Sequence, residues 1–237
     1  MSKRQRWVAL FDSHGDMQDD RTVELARKFV ERYKPHHRIH GGDALDLRAF
    51  RKGASEAEKR ESVQPDFDAA AKLFGWFKPT VWLLGNHCQR AIDRMNGDDK
   101  CEADMTRSMW GKLTEPLKGR TKIIPYCKWK GFYRLSDFRF CHGMHHGENA
   151  ARQAANDFKC NVIQGHVHAF AVAPVASISG PVYGYTAPAM CRRDMGYARA
   201  HAKTLRHELG WLFGETDGRH LTINVARVID GKLYAGT

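Results

Sequence analysis

The chain has 237 residues, 42% of them hydrophobic, with 38 Lys and Arg against 27 Asp and Glu, a formal charge of +11 and a pI near 9.5. That length suits one well-cored α/β domain over residues 1–237, and no Pro-, Gly- or Ser-rich linker divides it. No run is long enough to span a bilayer, and the apolar stretch after Lys3, Arg4 and Arg6 stops at Asp12, too short for a signal-peptide core.

In chain order, Trp7 to Phe11 is an apolar run that predicts a buried strand, and it ends at Asp12-Ser13-His14. Val23, Ala26, Phe29, Val30 and Tyr33 then recur at helical spacing, with Asp19 and Asp20 as cap candidates and Pro35 as a stop. A second strand signal around Ile39 leads into Gly42-Asp43-Ala44-Leu45-Asp46. The next helical tract opens on a capping box, Ser55 with Glu58, and carries Phe67, Ala70, Ala71 and Phe74 on one face before Gly75. A third strand, Val81 to Leu84, runs into Gly85-Asn86-His87. Met105, Met109 and Leu113 make the segment 88–119 helical, either an ordinary packing helix or a flap over the strand edge.

Between Lys118 and Arg134, the cations Lys118, Arg120, Lys122, Lys128, Lys130 and Arg134 interleave with Tyr126, Trp129, Phe132 and Tyr133. This mixture can hold phosphates and stack bases, but a strand pair with its aromatics on the inner face has the same pattern and is the preferred reading. Phe138 to Cys141 precedes His142; Ala151, Ala154, Ala155 and Phe158 predict a helix; Val162 and Ile163 precede Gly165-His166-Val167-His168. A long helical tract is expected from about Ala198 to Phe213 through Leu205, Leu209 and Leu212. Leu221, Ile223 and Val225 then alternate, and Asp230-Gly231 is a hairpin turn leading to Leu233 and Tyr234. Parallel strands early and antiparallel strands late predict a mixed α/β sheet system covered by helices. Cys88, Cys101, Cys127, Cys141, Cys160 and Cys191 form no C-x-x-C pair, which suits reduced, small buried side chains in a cytoplasmic compartment.

The five polar patches thus fall at strand C-terminal ends, the edge where ligands bind in open α/β sheets. In extended backbone, Asp12 with His14 and His166 with His168 project to one side in pairs. Imidazole, carboxylate and amide oxygen together suit borderline divalent ions, Mn²⁺ first, with Fe²⁺, Ni²⁺ or Zn²⁺ as alternatives.

The series D-x-H, G-D-x-x-D, G-N-H, H and G-H-x-H, from residue 12 to residue 168, resembles the signature of the calcineurin-like metallophosphoesterase superfamily. The resemblance implies two mixed β-sheets packed as a sandwich flanked by helices, in four layers αββα. It implies a first metal on Asp12, His14, Asp43 and His168, and a second on Asp43, Asn86, His142 and His166, with Asp43 as the bridge. His87 then takes the place of the catalytic histidine and Asp46 that of its acidic partner. The implied reaction is phosphoester hydrolysis by a hydroxide shared between the cations. Cys88 stands where many relatives have Asp or Glu, and Leu47 where phosphoprotein phosphatases have an arginine, so the pattern departs from that branch. Arg48 and Arg90 are candidates for contact with substrate phosphate. His36, His37, His40, His145 and His146 are assigned structural or supporting places.

Net charge and these departures favour a phosphodiesterase or nuclease acting on nucleic acid or nucleotides. A phosphomonoesterase or phosphoprotein phosphatase is the alternative. A protein-binding scaffold is a further one, against which the complete ligand set argues. Metal identity, exact substrate, oligomeric state and pathway are not encoded in any motif.

Overall fold

A computed structural model describes residues 4–194 and 206–236. Its strands are β1 (Gln5–Leu10), β2 (His37–His40), β3 (Val81–Leu83), β4 (Lys122–Ile124), β5 (Tyr133–Leu135), β6 (Phe138–Cys141), β7 (Asn161–Gln164), β8 (Ala171–Val175), β9 (Val182–Thr186), β10 (Leu209–Thr216), β11 (Asn224–Ile229) and β12 (Lys232–Ala235). Its helices are α1 (Asp20–Tyr33), α2 (Glu56–Lys59), α3 (Gln64–Phe77), α4 (Asn86–Met95), α5 (Lys100–Thr114) and α6 (Ala150–Phe158).

One sheet has seven strands in the order β12-β11-β10-β1-β2-β3-β4 and the other five in the order β5-β6-β7-β9-β8. β1 to β4 run parallel, as do β6, β7 and β9, while β10 to β12, β5 and β8 join antiparallel. Period-two alternation assigns the two faces of β1. Trp7, Ala9 and Phe11 point inward, onto Phe138, Phe140 and Ile163 of the smaller sheet. Val8 and Leu10 point outward, into a cluster with Phe29 of α1, Phe74 of α3 and Met109 of α5. On the far side, Ala154 and Ala155 of α6 pack on Cys141 and Val162. The layers are therefore αββα, as the motif resemblance implied.

Local chemistry explains the helix ends. Asp19 caps α1 by accepting the Thr22 N–H, and Ser55 and Glu58 form the reciprocal capping box of α2. The tract expected to continue from that box is two helices, and α3 runs through the exposed Gly75 to Lys78, whose left-handed backbone ends it. Within 88–119, α5 buries Met109 and Leu113 and stacks Trp110 on Trp82 at 5.3 Å, leaving Met105 exposed.

The helical tract expected at 198–213 is corrected at its end. Residues 195–205 lie outside the described residues, and Leu209 to Phe213 belong to β10, paired on both sides by β1 and β11. A central strand is buried on both faces and reads as a continuous apolar run, which periodicity does not separate from a buried helix. Gly210 admits the β11 backbone, since a Cβ there would lie 2.0 Å from the Ala226 carbonyl oxygen. The basic-aromatic stretch is corrected as well. β4 and β5 pair with β3 and β6 in different sheets, so they form no strand pair with each other. The final hairpin is as expected, with positive φ at both Asp230 and Gly231.

Candidate metal centre

β1, β2, β3, β6 and β7 all end at one edge, and each delivers its polar patch there. The delivery is not by extended backbone. Asp12, His14, Asp43, His166 and His168 all have positive φ, between 46° and 73°. Such left-handed non-glycine residues are strained and concentrate at functional sites. Backbone bonds hold them: Asp12 N–H to the Gly42 carbonyl at 3.1 Å, and His14 N–H to the Asp43 carbonyl at 2.9 Å. Gly85 is needed because a Cβ there would sit 2.1 Å from Asp43 Oδ1.

Two groups of ligand atoms converge. In one, His14 Nε2 lies 3.2 Å from His168 Nε2, and Asp12 Oδ1 lies 3.5 Å from His168 Nε2 and 4.0 Å from His14 Nε2. In the other, His142 Nε2 lies 3.0 Å from Asp43 Oδ2, 2.9 Å from Asn86 Oδ1 and 3.3 Å from His166 Nδ1. Asp43 stands between them, with ligand atoms of both His14 and His142 within reach.

Proton accounting tests whether cations fit. His142 Nδ1 faces the Gly41 carbonyl at 3.3 Å and must carry a hydrogen, so a neutral His142 turns its Nε2 lone pair toward the Asp43 carboxylate oxygen at 3.0 Å. His14 Nδ1 likewise donates to Asp46 Oδ1 at 3.0 Å, which presents its Nε2 lone pair to the centre. Only a cation or an added proton reconciles such facing acceptors, and the mixed N/O donor set suits borderline divalent ions. The residues present fit two metal ions.

The electrostatics agree. Burial opposes ionisation of Asp43, yet His142 and His87 hold it well below the ordinary carboxylate range. Asp12 is lowered in the same way, against burial, by His168 and His142. His142 is raised against burial by Asp43. Against the same penalty, Cys191 and Asp12 raise His168. Burial also pushes the Cys191 thiol up, so it is uncharged at neutral pH and Asp12 is the operative partner. His166 is pushed down to about 3 by burial and by His142.

His87 sits at the N-terminus of α4. Its backbone N–H donates to Asp43 Oδ1 at 2.8 Å, its Nδ1 to the Asp46 carbonyl oxygen at 2.9 Å with Asp46 Oδ1 also at 2.9 Å, and its Nε2 lies 3.2 Å from an Arg90 nitrogen. Asp46 serves His14 and His87 together, which keeps it ionised in spite of burial. Arg90 also donates to the Asp46 carbonyl at 2.7 Å. The Arg48 guanidinium grips Asp16 at 2.7 and 2.8 Å, pairs with Glu61 and lies 3.9 Å from Asp46 Oδ2. A cavity of about 320 Å³ opens over the centre, lined by His14, Asp43, Arg51, His87, Arg90, His146, His166 and His168.

Cysteine and serine chemistry fit poorly. Burial drives the Cys88 thiol up to about 12, and Ser13, hydrogen-bonded to His40 at 3.1 Å, is 1% exposed.

Neither a protein-family profile nor a curated protein sequence matches the chain. Solved structures do. A metallophosphoesterase from Sphaerobacter thermophilus aligns with TM-score 0.51 at 15% identity, over 94% of this chain and 88% of that one. Vacuolar Protein Sorting 29 from Cryptosporidium parvum aligns with TM-score 0.51 at 10% identity, over 98% and 96%. The chain has the calcineurin-like metallophosphoesterase fold. Because these neighbours are named for an esterase and for a sorting protein, the metallophosphoesterase fold alone leaves activity to the side chains.

Around the centre, His146 takes the supporting place expected of it, Cys191 was expected only to be buried, and Asp66 and His207 escaped sequence reading. His146 Nδ1 lies 2.6 Å from His166 Nε2. Behind His168, Cys191 Sγ lies 3.7 Å from Nδ1, and His207 donates to the Cys191 carbonyl at 2.9 Å. Asp66, on α3, accepts the N–H groups of Asp46 and Leu47, and burial pushes its carboxyl up to about 7. Cys191 is buried as expected, but Cys101 is exposed. Only the pair His145-His146, three residues past His142, carried a sequence signal. Asp66, Cys191 and His207 belong to no motif.

Proposed function

We propose that this protein is a divalent-metal-dependent phosphodiesterase acting on nucleic acid or a nucleotide. The observation that carries the reading is the convergence of buried imidazole, carboxylate and amide ligand atoms on Asp43, with His142 Nε2 set 3.0 Å from the Asp43 carboxylate while its Nδ1 faces the Gly41 carbonyl, at the floor of a cavity. Asp12, His14, Asp43 and His168 would hold one ion and Asp43, Asn86, His142 and His166 the other, with Mn²⁺ the leading candidate. Two such ions supply an acidified water and neutralise charge on the phosphoryl oxygens.

The protein's own groups have separate tasks. Asp46 locks the His87 tautomer by taking the Nδ1 proton, so Nε2 is the atom that exchanges a proton with the cavity. Arg90 touches that Nε2 and reaches the same cavity, so a bound phosphate that draws the guanidinium away leaves the Nε2 lone pair open to take up a proton from water, which it then hands to the departing alkoxide. Arg48 serves the fold through Asp16 and Glu61, which leaves Arg90 and Arg51 as the cationic cavity groups. The positive charge of the chain favours a polyanionic substrate.

The test is turnover by the Mn²⁺-loaded protein on bis-p-nitrophenyl phosphate, p-nitrophenyl phosphate, single- and double-stranded DNA, RNA and a phosphopeptide. Diester cleavage abolished by chelation is expected. Phosphopeptide preference would transfer the assignment to a phosphatase, and no turnover with full metal occupancy would favour a scaffold.

A further inference from the structure

Of the chain's six tryptophans, Trp7, Trp82 and Trp211 are fully buried and Trp76 and Trp110 partly so, but Trp129 is 80% exposed. It stands at the tip of a tight turn closed by the Gly131 N–H on the Cys127 carbonyl at 2.7 Å. Lys128 and Lys130 flank it, both exposed and without an ion pair among the described residues, and Lys128 Nζ lies over the indole at 5.1 Å. Exposed Lys118, Arg120 and Lys122 precede the turn.

The root of this turn is tied to the metal centre. The Tyr126 hydroxyl donates to the Gly143 carbonyl at 3.2 Å, and its ring meets His142 edge-on at 5.8 Å between centroids. Trp129 is three residues on from Tyr126, which at about 3.5 Å each places it at most ~10 Å away along the chain. That limit is about three stacked nucleotides at ~3.4 Å apiece.

We propose that the turn Cys127–Gly131 is a stacking platform for single-stranded nucleic acid, with a base on the Trp129 indole and flanking phosphates on Lys128 and Lys130. The proposal rests on the phosphodiesterase reading and specifies its substrate as a strand rather than a free nucleotide. A charged aromatic tip on a turn whose root contacts His142 combines the two elements that sequence-tolerant strand binders use. Duplex DNA, with its bases already stacked on one another, offers the indole no open base face.

Binding of fluorescein-labelled dT12 is measured by anisotropy with the Mn²⁺-loaded full chain in a His87→Ala background, which limits cleavage. Trp129→Ala is expected to weaken binding roughly 5- to 150-fold, and Trp129→Phe to restore most of it. Lys128→Ala/Lys130→Ala should flatten the slope of log Kobs against log salt by about 1.4. As these side chains are exposed, unchanged melting temperatures confirm the fold. Equal affinity of all variants for dT12, or tighter binding of blunt duplex DNA or anionic vesicles than of dT12, overturns the proposal. Hydrolysis of bis-p-nitrophenyl phosphate by the unaltered protein reports separately on the diesterase reading.

Discussion

Asp43→Asn is the perturbation that bears on both proposed ions at once. The carboxylate is buried, with Oδ2 3.0 Å from His142 Nε2 and Oδ1 accepting the His87 N–H at 2.8 Å. Asparagine keeps the shape. Its carbonyl can still accept from His87, and its amide can donate to the Nε2 of a neutral His142, so the metal-free fold should survive. What disappears is a negative charge placed between two cations. Loss of a residue that merely supports a ligand costs roughly 10- to 100-fold in metal affinity, so loss of a shared ligand should cost at least ~100-fold, or about 2.8 kcal/mol. Calorimetric titration with Mn²⁺ and elemental analysis after desalting measure this directly. A variant that keeps two ions per chain with affinity within about threefold of the parent would refute the bridging assignment.

His87→Ala should retain both ions and lose roughly 10²- to 10⁴-fold in kcat on alkyl diesters, with a smaller loss on nitrophenyl esters whose leaving group needs no proton; equal losses on both would remove His87 as proton donor. The pH dependence of the metal-free protein follows from the buried pairs. Asp12 and Asp43 are lowered from 3.8, so their stabilisation is present above that value and is lost as pH falls below it. His142 and His168 are raised from 6.5, so theirs is full below 6.5 and is lost as pH rises through the shifted values. Because His40, His166 and His207 are pushed down to about 3 by burial, they cost stability as pH falls below 6.5, so the metal-free melting temperature should peak near 6.5, while the increment from Mn²⁺ keeps growing above 6.5 as protons stop competing; calorimetric melts across pH 3 to 9 check it, and an increment that shrinks above 6.5 would contradict it. Asp66→Ala should destabilise the chain by about 1–3 kcal/mol, because the N–H groups of Asp46 and Leu47 lose a buried acceptor, and urea denaturation measures it.

Much of the scaffold was readable because alternation and end signals are local. The Trp7 to Phe11 run, the Asp19 cap and the Asp230-Gly231 turn depend on neighbours in sequence, and all formed as expected. β10 did not yield to the same reading, because burial on both faces erases alternation. At the centre, residue types and order were legible, but the backbone was not. The left-handed conformations at Asp12, His14 and Asp43 depend on hydrogen bonds between the ends of β1 and β2, which are 30 residues apart or so in chain terms and invisible to periodicity. The partners of Arg48 were equally out of reach of local pattern: its guanidinium pairs with Asp16 and Glu61 and lies 3.9 Å from Asp46 Oδ2, contacts set by three separate segments.

Anomalous diffraction from crystals soaked in Mn²⁺ reaches the central assignment with the fewest intermediate steps. Two peaks about 3.5 to 4 Å apart are expected on either side of Asp43, one among Asp12, His14 and His168 and the other among Asn86, His142 and His166. An absence of peaks at this edge of the sheets, or manganese bound only elsewhere on the chain, would contradict it.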